Sequence, residues 1–183
     1  MAYRNGTYVA FSGKDTTNPT ESDIRYYNLM KAWKENDRID FQFSDSHIKT
    51  YQVKDDSNKK TLQVRLLERM RSSKQMILII SKDTEWDRGM LNYEIEKAVD
   101  LFKIPLIIVY PDYNIIQEPI KLSNLWPRAL NEKISDFKAC CIHMPAKKEM
   151  ILDAISQFDV HTNKLKGCLN YYSDEAYKNW GLK

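Results

Sequence analysis

The stretch with the clearest chemical potential is 75–99, QMILIISKDTEWDRGMLNYEIEKAV, and its chemistry rests on one carboxylate, Glu94. Met76 to Ile80 is a continuous apolar run bounded by polar residues, the pattern of a fully buried parallel strand. A polar turn follows from Ser81 to Arg88, and the spacing predicts a helix from Gly89 onward. Leu91, Ile95, Ala98, Val99 and Phe102 recur at the spacing of an amphipathic inner face. At roughly 100° per residue, Glu96 and Lys97 project away from that face, whereas Glu94 falls on its margin. A carboxylate one turn into a helix that follows a strand's carboxyl end is placed to enter a crevice. Partly desolvated there, it can stabilise an oxocarbenium-like centre, or act as nucleophile or base at a sugar's anomeric carbon. The plain alternative is a helix-surface glutamate paired with Arg88 or Lys97, and the pattern alone leaves both readings open.

Other chemistries find less support. With five glycines the chain holds neither a Walker loop nor GxGxxG. Ser12-Gly13-Lys14-Asp15-Thr16-Thr17 is only a thin version of a flavin phosphate loop. Of the three histidines, His143 lies in an apolar run and reads as a packed core imidazole, while His161 starts a tail. His47, beside Asp45 in a polar loop, is the one placed to touch a ligand, a solvated loop histidine being the plain alternative. No histidine, cysteine and carboxylate cluster has metal-ligand spacing. Cys140 and Cys141 alternate across an expected strand and read as small buried hydrophobes.

Composition bounds the rest. A chain of 183 residues, 43% hydrophobic and 29% charged, fits one globular domain with a full core and a tail. A net charge of +3, from 28 basic and 25 acidic residues, does not demand nucleic acid. Three cysteines without metal spacing read as reduced thiols. No apolar run approaches the length of a membrane span, and Met1 to Ser12 lacks a signal peptide's continuous apolar segment. The expectation is a soluble cytoplasmic protein that uses neither membrane nor nucleic acid.

The elements that must position Glu94 follow from the pattern. Thr7 to Ser12 reads as a first strand ending in a polar turn, with a helix starting near the capping residues Ser22-Asp23 and burying Ile24, Tyr27, Leu29, Met30 and Trp33. Ile39 to Phe43 alternates as a half-exposed strand, and Ser44 to Lys60 is a long, lid-like polar loop. Leu62, Leu66 and Met70 share a helix face ahead of the central strand. Ile104 to Tyr110 and Phe137 to Met144 read as further strands, with 112–132 irregular between them because Pro119 and Pro127 break any long helix. A helix over Lys147 to Phe158 follows. Residues 1–160 then form one domain, and 161–183 an aromatic extension that packs on it or mediates self-association, with Ser173-Asp174-Glu175 capping a short helix.

Five strands alternating with helices imply an α/β, three-layer flavodoxin-like fold with a mostly parallel sheet and right-handed crossovers. Ligands of such sheets sit outside the carboxyl ends of the strands where the order reverses. Here that rule selects Phe11, Ser12, Ser81, Thr84 and Glu94.

Three segments, in order, resemble the TIR-like domains of bacterial anti-phage defence, the ThsB type of Thoeris systems. TYVAFSGKD resembles the first TIR strand with its Phe-Ser end. LLERMRSSKQMILIISKDT resembles the lead-in to the central strand, and NYEIEKAVDLFKIPLIIVYP the helix bearing the family's glutamate with the strand after it. The similarity runs from Thr7 to Asp159. The resemblance implies an NAD-consuming glycohydrolase or cyclase, with NAD as substrate and no separate cofactor. Glu94 would be the catalytic glutamate, acting at the nicotinamide ribose, and Phe11 and Ser12 would line that pocket. Asp45 and His47 would touch substrate from the mobile loop. The product would be an ADP-ribose-derived signal, linear or cyclic, that reaches a separate effector protein. TIR domains commonly carry a tryptophan one turn before the glutamate; Met90 stands there in this chain, so either Trp86, a turn further back, substitutes from the loop or the pocket wall is different. TIR sites are also often completed by a neighbouring subunit, so a homo-oligomer is a further expectation. Two other readings compete with the enzyme. One is a TIR-like adaptor that does no chemistry; the other is a nucleoside deoxyribosyltransferase-like enzyme, which also uses a glutamate at an anomeric carbon.

Overall fold

The apolar run around Ile77 forms a strand with neighbours on both sides, as a residue run buried on both faces must. The computed structural model describes residues 3–12, 22–36, 59–82, 84 and 90–183. Among the described residues five strands make one sheet in the order β1 (Gly6–Ala10), β2 (Ser73–Ile79), β3 (Leu106–Tyr110), β4 (Cys141–Pro145) and β5 (Asn170–Tyr171). Every pairing is parallel, with Val9 opposite Ile77, Ile77 opposite Ile107 and Ile107 opposite Ile142. Parallel neighbours need crossovers, which the helices supply: α1 (Ile24–Glu35), α2 (Lys59–Ser72), α3 (Leu91–Glu96), α4 (Arg128–Ser135), α5 (Lys148–Gln157) and α6 (Asp174–Asn179).

Successive strand side chains point to opposite faces, and the core divides accordingly. Tyr8, Ala10, Met76, Leu78, Ile80, Leu106 and Ile108 face a layer built from α2, α3 and α4. Val9, Ile77, Ile79, Ile107, Val109 and Ile142 face α1, α5 and α6. The result is the expected three-layer α/β fold.

Several expectations change in detail. The expected strand Ile39–Phe43 and most of the loop 44–60 lie outside the described residues. The fifth strand described here comes instead from the tail, where Asn170 and Tyr171 add to β4. Within that tail, Tyr177 is buried and its hydroxyl accepts from the Ile116 amide at 2.9 Å, while Ser173 caps α6 by accepting from the Ala176 amide. Residues 137–140 are not strand: β4 begins at Cys141, and Phe137 is 87% exposed with a left-handed φ of 56°. Cys140 is exposed rather than buried for the same reason, whereas Cys141 and Cys168 are buried. On α1, Leu29 is 44% exposed; Tyr27 and Met30 carry the inner face. The segment 112–132, read as irregular, holds a 3-10 turn (Pro119–Leu125) and the start of α4. The prolines punctuate these elements instead of preventing them: Pro119 opens the 3-10 turn and Pro127 is the N-cap of α4.

Candidate active site

Glu94 does not sit at the helix surface. It lies in the first turn of α3, its amide donates to the Met90 carbonyl at 2.9 Å, and the residue is 8% exposed. α3 is held in place by α4. The Asn92 side-chain oxygen accepts from the Ala129 amide at 2.8 Å, satisfying an open donor in the first turn of α4. Arg128 reaches Glu96 at 3.5 Å, and Lys133 pairs with Asp100 at 2.7 Å. Beyond Glu96 the helix widens into a π segment, Lys97–Leu101, closed by the Phe102 amide on the Lys97 carbonyl. Ala98, Val99 and Phe102 are buried along with Leu91 and Ile95. Glu94 is turned toward the sheet rather than toward solvent.

Its partner there is Tyr8. The phenol at the centre of β1 is fully buried and donates a hydrogen bond to Glu94 Oε1. Burial pushes the Glu94 carboxyl up from its ordinary 4.5 to about 7, while the Tyr8 hydrogen bond and the Arg69 charge pull the other way. The Tyr8 hydroxyl is in turn held well above its usual value, by burial first and by the adjoining carboxylate second. A carboxyl divided between its two protonation states near neutrality can act as an acid, a base or an anion with little change in surroundings. Lys97, one of its two expected helical partners, lies instead over the Tyr93 ring at 5.2 Å; Arg88, the other, lies outside the described residues.

The other expected site residues that are described follow the carboxyl ends of β1 and β2. Phe11 stacks on Tyr27 of α1, with ring centres 5.4 Å apart, and packs with the α1 layer; Ser12 beside it is half-buried. Ser81 and Thr84 close the turn after β2. The Ser81 amide donates to Thr84 Oγ1 at 2.9 Å, and the Thr84 amide donates back to the Ser81 carbonyl at 3.1 Å. Thr84 Oγ1 then donates to Asp23 Oδ2 at 3.1 Å. Asp23, expected to cap α1 with its side chain, makes no such cap; Ser22 Oγ accepts from the Ile24 amide instead. Of the five residues expected around one crevice, four have contacts that place them, and these adjoin two layers. Phe11, Ser81 and Thr84 adjoin α1, and Glu94 faces Tyr8 under α3. Met90, one turn before Glu94, is half-buried and packs on the α3 layer. Asp45, His47 and Trp86 lie outside the described residues.

Residues 8–115 match the family described as Thoeris protein ThsB, TIR-like domain. The chain belongs to that family. The match spans more than half of the chain and includes β1, β2, α3 and β3, the elements that bring Tyr8 and Glu94 together. Membership in the ThsB family supports a role in anti-phage defence, within a system that works through partner proteins. Among the described residues no helix is long and apolar enough to cross a membrane. None of their histidines, cysteines and carboxylates form a group placed to hold a metal ion.

Sequence reasoning missed Tyr8 and Arg69, and it read Asp23 only as a helix cap and not as the partner of Thr84. A signal existed for the first: Tyr8 and Ala10 alternate toward the same layer, and a tyrosine at the centre of a buried strand must find a partner for its hydroxyl. Nothing comparable pointed to Arg69, which belongs to the last turn of α2 and acts on Glu94 only through the tertiary packing. His143 is a core imidazole, fully buried in β4. Its Nε2 donates to the Cys168 carbonyl at 2.9 Å, so its Nδ1 accepts from the Tyr110 hydroxyl at 2.9 Å, which itself accepts from Trp126 Nε1 at 2.8 Å. At the opposite, amino-terminal end of the strands a groove of about 350 Å³ opens beside Arg4, Phe102, Lys103 and the exposed Cys140.

Proposed function

We propose that this ThsB-family protein consumes NAD, with Glu94 as the catalytic residue. The observation that carries the reading is the Glu94 carboxyl itself. It is buried one turn into the helix that follows the carboxyl end of β2, it accepts from the Tyr8 hydroxyl, and burial pushes it up to about 7. Breaking the bond between nicotinamide and ribose leaves positive charge on the anomeric carbon and its ring oxygen. An ionised carboxylate in a desolvated setting stabilises that charge, or adds to the carbon covalently. Water or a second nucleophile on the same nucleotide then completes the reaction, giving linear or cyclic ADP-ribose. In this reading Phe11, Ser12, Ser81, Thr84, Asp45, His47 and Trp86 contact substrate, and the product is a signal for a separate effector protein. The reaction takes place in the cytoplasm, and a second copy of the chain completes the site.

The test is nicotinamide release from NAD by the wild-type protein and by Glu94→Gln, with nucleotide products separated by chromatography. Release by wild type and none by the variant is the expected result. Equal release by the two proteins would refute the assignment of Glu94, and turnover of a deoxynucleoside in place of NAD would move the chemistry to base exchange.

A further inference from the structure

The reading above uses Glu94 but not the groups that surround its carboxyl. Tyr8 comes from the middle of β1, Arg69 from the last turn of α2 and Glu94 from the first turn of α3, so three elements distant in sequence converge on one carboxyl. Met76 and Leu78 of β2, and Ile80 just after it, are the apolar residues of that stretch packed in this layer. The charges on the outer side of α3 are engaged elsewhere, Glu96 with Arg128 and Lys97 with the Tyr93 ring. Tyr8 and Arg69 are thus the polar and charged groups that act on Glu94 among the described residues.

A buried phenol and a buried carboxyl are an expensive pair. Two apolar side chains of similar shape would be about neutral or more stable, because neither would need desolvation. What the pair provides is control of the carboxyl. Burial favours the neutral acid, which cannot stabilise positive charge at an anomeric carbon. A hydrogen bond donated to the carboxylate and a nearby guanidinium both favour the ionised form that can. Resting on the NAD-consuming reading, we propose that Tyr8 is a positioning residue. Its hydroxyl fixes the orientation of the Glu94 carboxyl and favours its anionic form against the effect of burial, with Arg69 adding the supporting charge.

Tyr8→Phe removes only the hydroxyl and keeps the ring in the core. The experiment reads two quantities on wild type and variant. One is the titration midpoint of the Glu94 carboxyl by carbon NMR, assigned through Glu94→Gln; the other is the pH profile of nicotinamide release. The expected result is a midpoint raised by about one pH unit or more in Tyr8→Phe, corresponding to about fivefold or more slower release at pH 7, where the wild-type carboxyl is about half ionised. The lost rate returns at higher pH, where the carboxyl ionises without help. A merely structural tyrosine would lower the rate by one factor at every pH and leave the midpoint in place, and that result overturns the proposal. The titration needs no substrate, so it separates the proposal from its premise. A raised midpoint with no nicotinamide release from wild type refutes the NAD reading and leaves Tyr8 as the group that controls the carboxyl. An unmoved midpoint refutes the role of Tyr8 whether or not release is seen. If Tyr8→Phe does not fold, Arg69→Gln takes its place; the midpoint should again rise, and an unmoved one overturns the proposal.

Discussion

Replacing Glu94 by glutamine should stabilise the fold at alkaline pH while removing the charge that the proposed chemistry needs. Burial lifts this carboxyl from its ordinary 4.5 to about 7. An acid raised in the folded state is ionised first in the unfolded chain, so its stabilising contribution is complete below the unfolded value and is lost as pH rises through the folded one. Below pH 4.5 the group is neutral in both states; above pH 7 the folded state carries the full cost of a buried anion. At about 1.4 kcal/mol per tenfold change in proton affinity, that interval amounts to about 3 kcal/mol. Glutamine keeps the length of the side chain, can accept from Tyr8 through its amide oxygen, and does not ionise. Urea unfolding of both proteins should therefore show a gap of less than about 1 kcal/mol near pH 5, opening to about 3 kcal/mol in favour of the variant near pH 8. In melting temperature the alkaline gap corresponds to about 6–12 °C for a chain of this size. A gap of the same size at both pH values, or a variant less stable than wild type at pH 8, would refute the reasoning. The expected result would also show that lost activity in Glu94→Gln is not lost folding, and would mark the site as one where function is held at the expense of stability.

Two further predictions concern the buried network across β3 and β4. Burial lowers His143 from its ordinary 6.5 to about 4, so the unfolded chain takes up this proton first and stability falls as pH drops from 6.5 toward 4, by about 3 kcal/mol across the window. Urea unfolding from pH 7 to pH 4 should show that slope, and His143→Gln should flatten it; an equal slope in the variant would assign the acid sensitivity elsewhere. Tyr110→Phe removes the acceptor for Trp126 Nε1 and the donor to His143 Nδ1 in one step, so it should destabilise the fold by about 2–3 kcal/mol at pH 7. A loss below about 0.5 kcal/mol would mean that those two groups find other partners.

Much of the architecture is legible in local pattern. The runs at 76–80 and 106–110 are apolar without alternation because they are buried on both faces, and that alone implies a parallel sheet covered by helices. The inner face of α3 follows from helical spacing, and the α6 cap from Ser173. Pattern fails where the decisive partner is remote in sequence. Residues 112–132 look irregular because prolines are read as breakers, yet α4 forms there and takes its first-turn acceptor from Asn92. Cys140 and Phe137 look like strand residues because they adjoin an apolar run, but β4 pairs only from Cys141.

The sequence by itself determined that Glu94 is a carboxylate on the margin of an amphipathic helix at the carboxyl end of a central strand, because helical spacing and strand burial are local properties of the chain. It also determined the family, through segments whose order survives without any three-dimensional information. Only the tertiary structure decided that this carboxyl is turned inward, that Tyr8 donates to it, and that Arg69 charges its surroundings. It also decided that Phe11, Ser81 and Thr84 pack with the α1 layer while Glu94 packs beneath α3. The physical reason is that a side chain's ionisation is set by solvation and charge within a few ångströms. The groups that supply them to Glu94 come from 86 and 25 positions away in the chain.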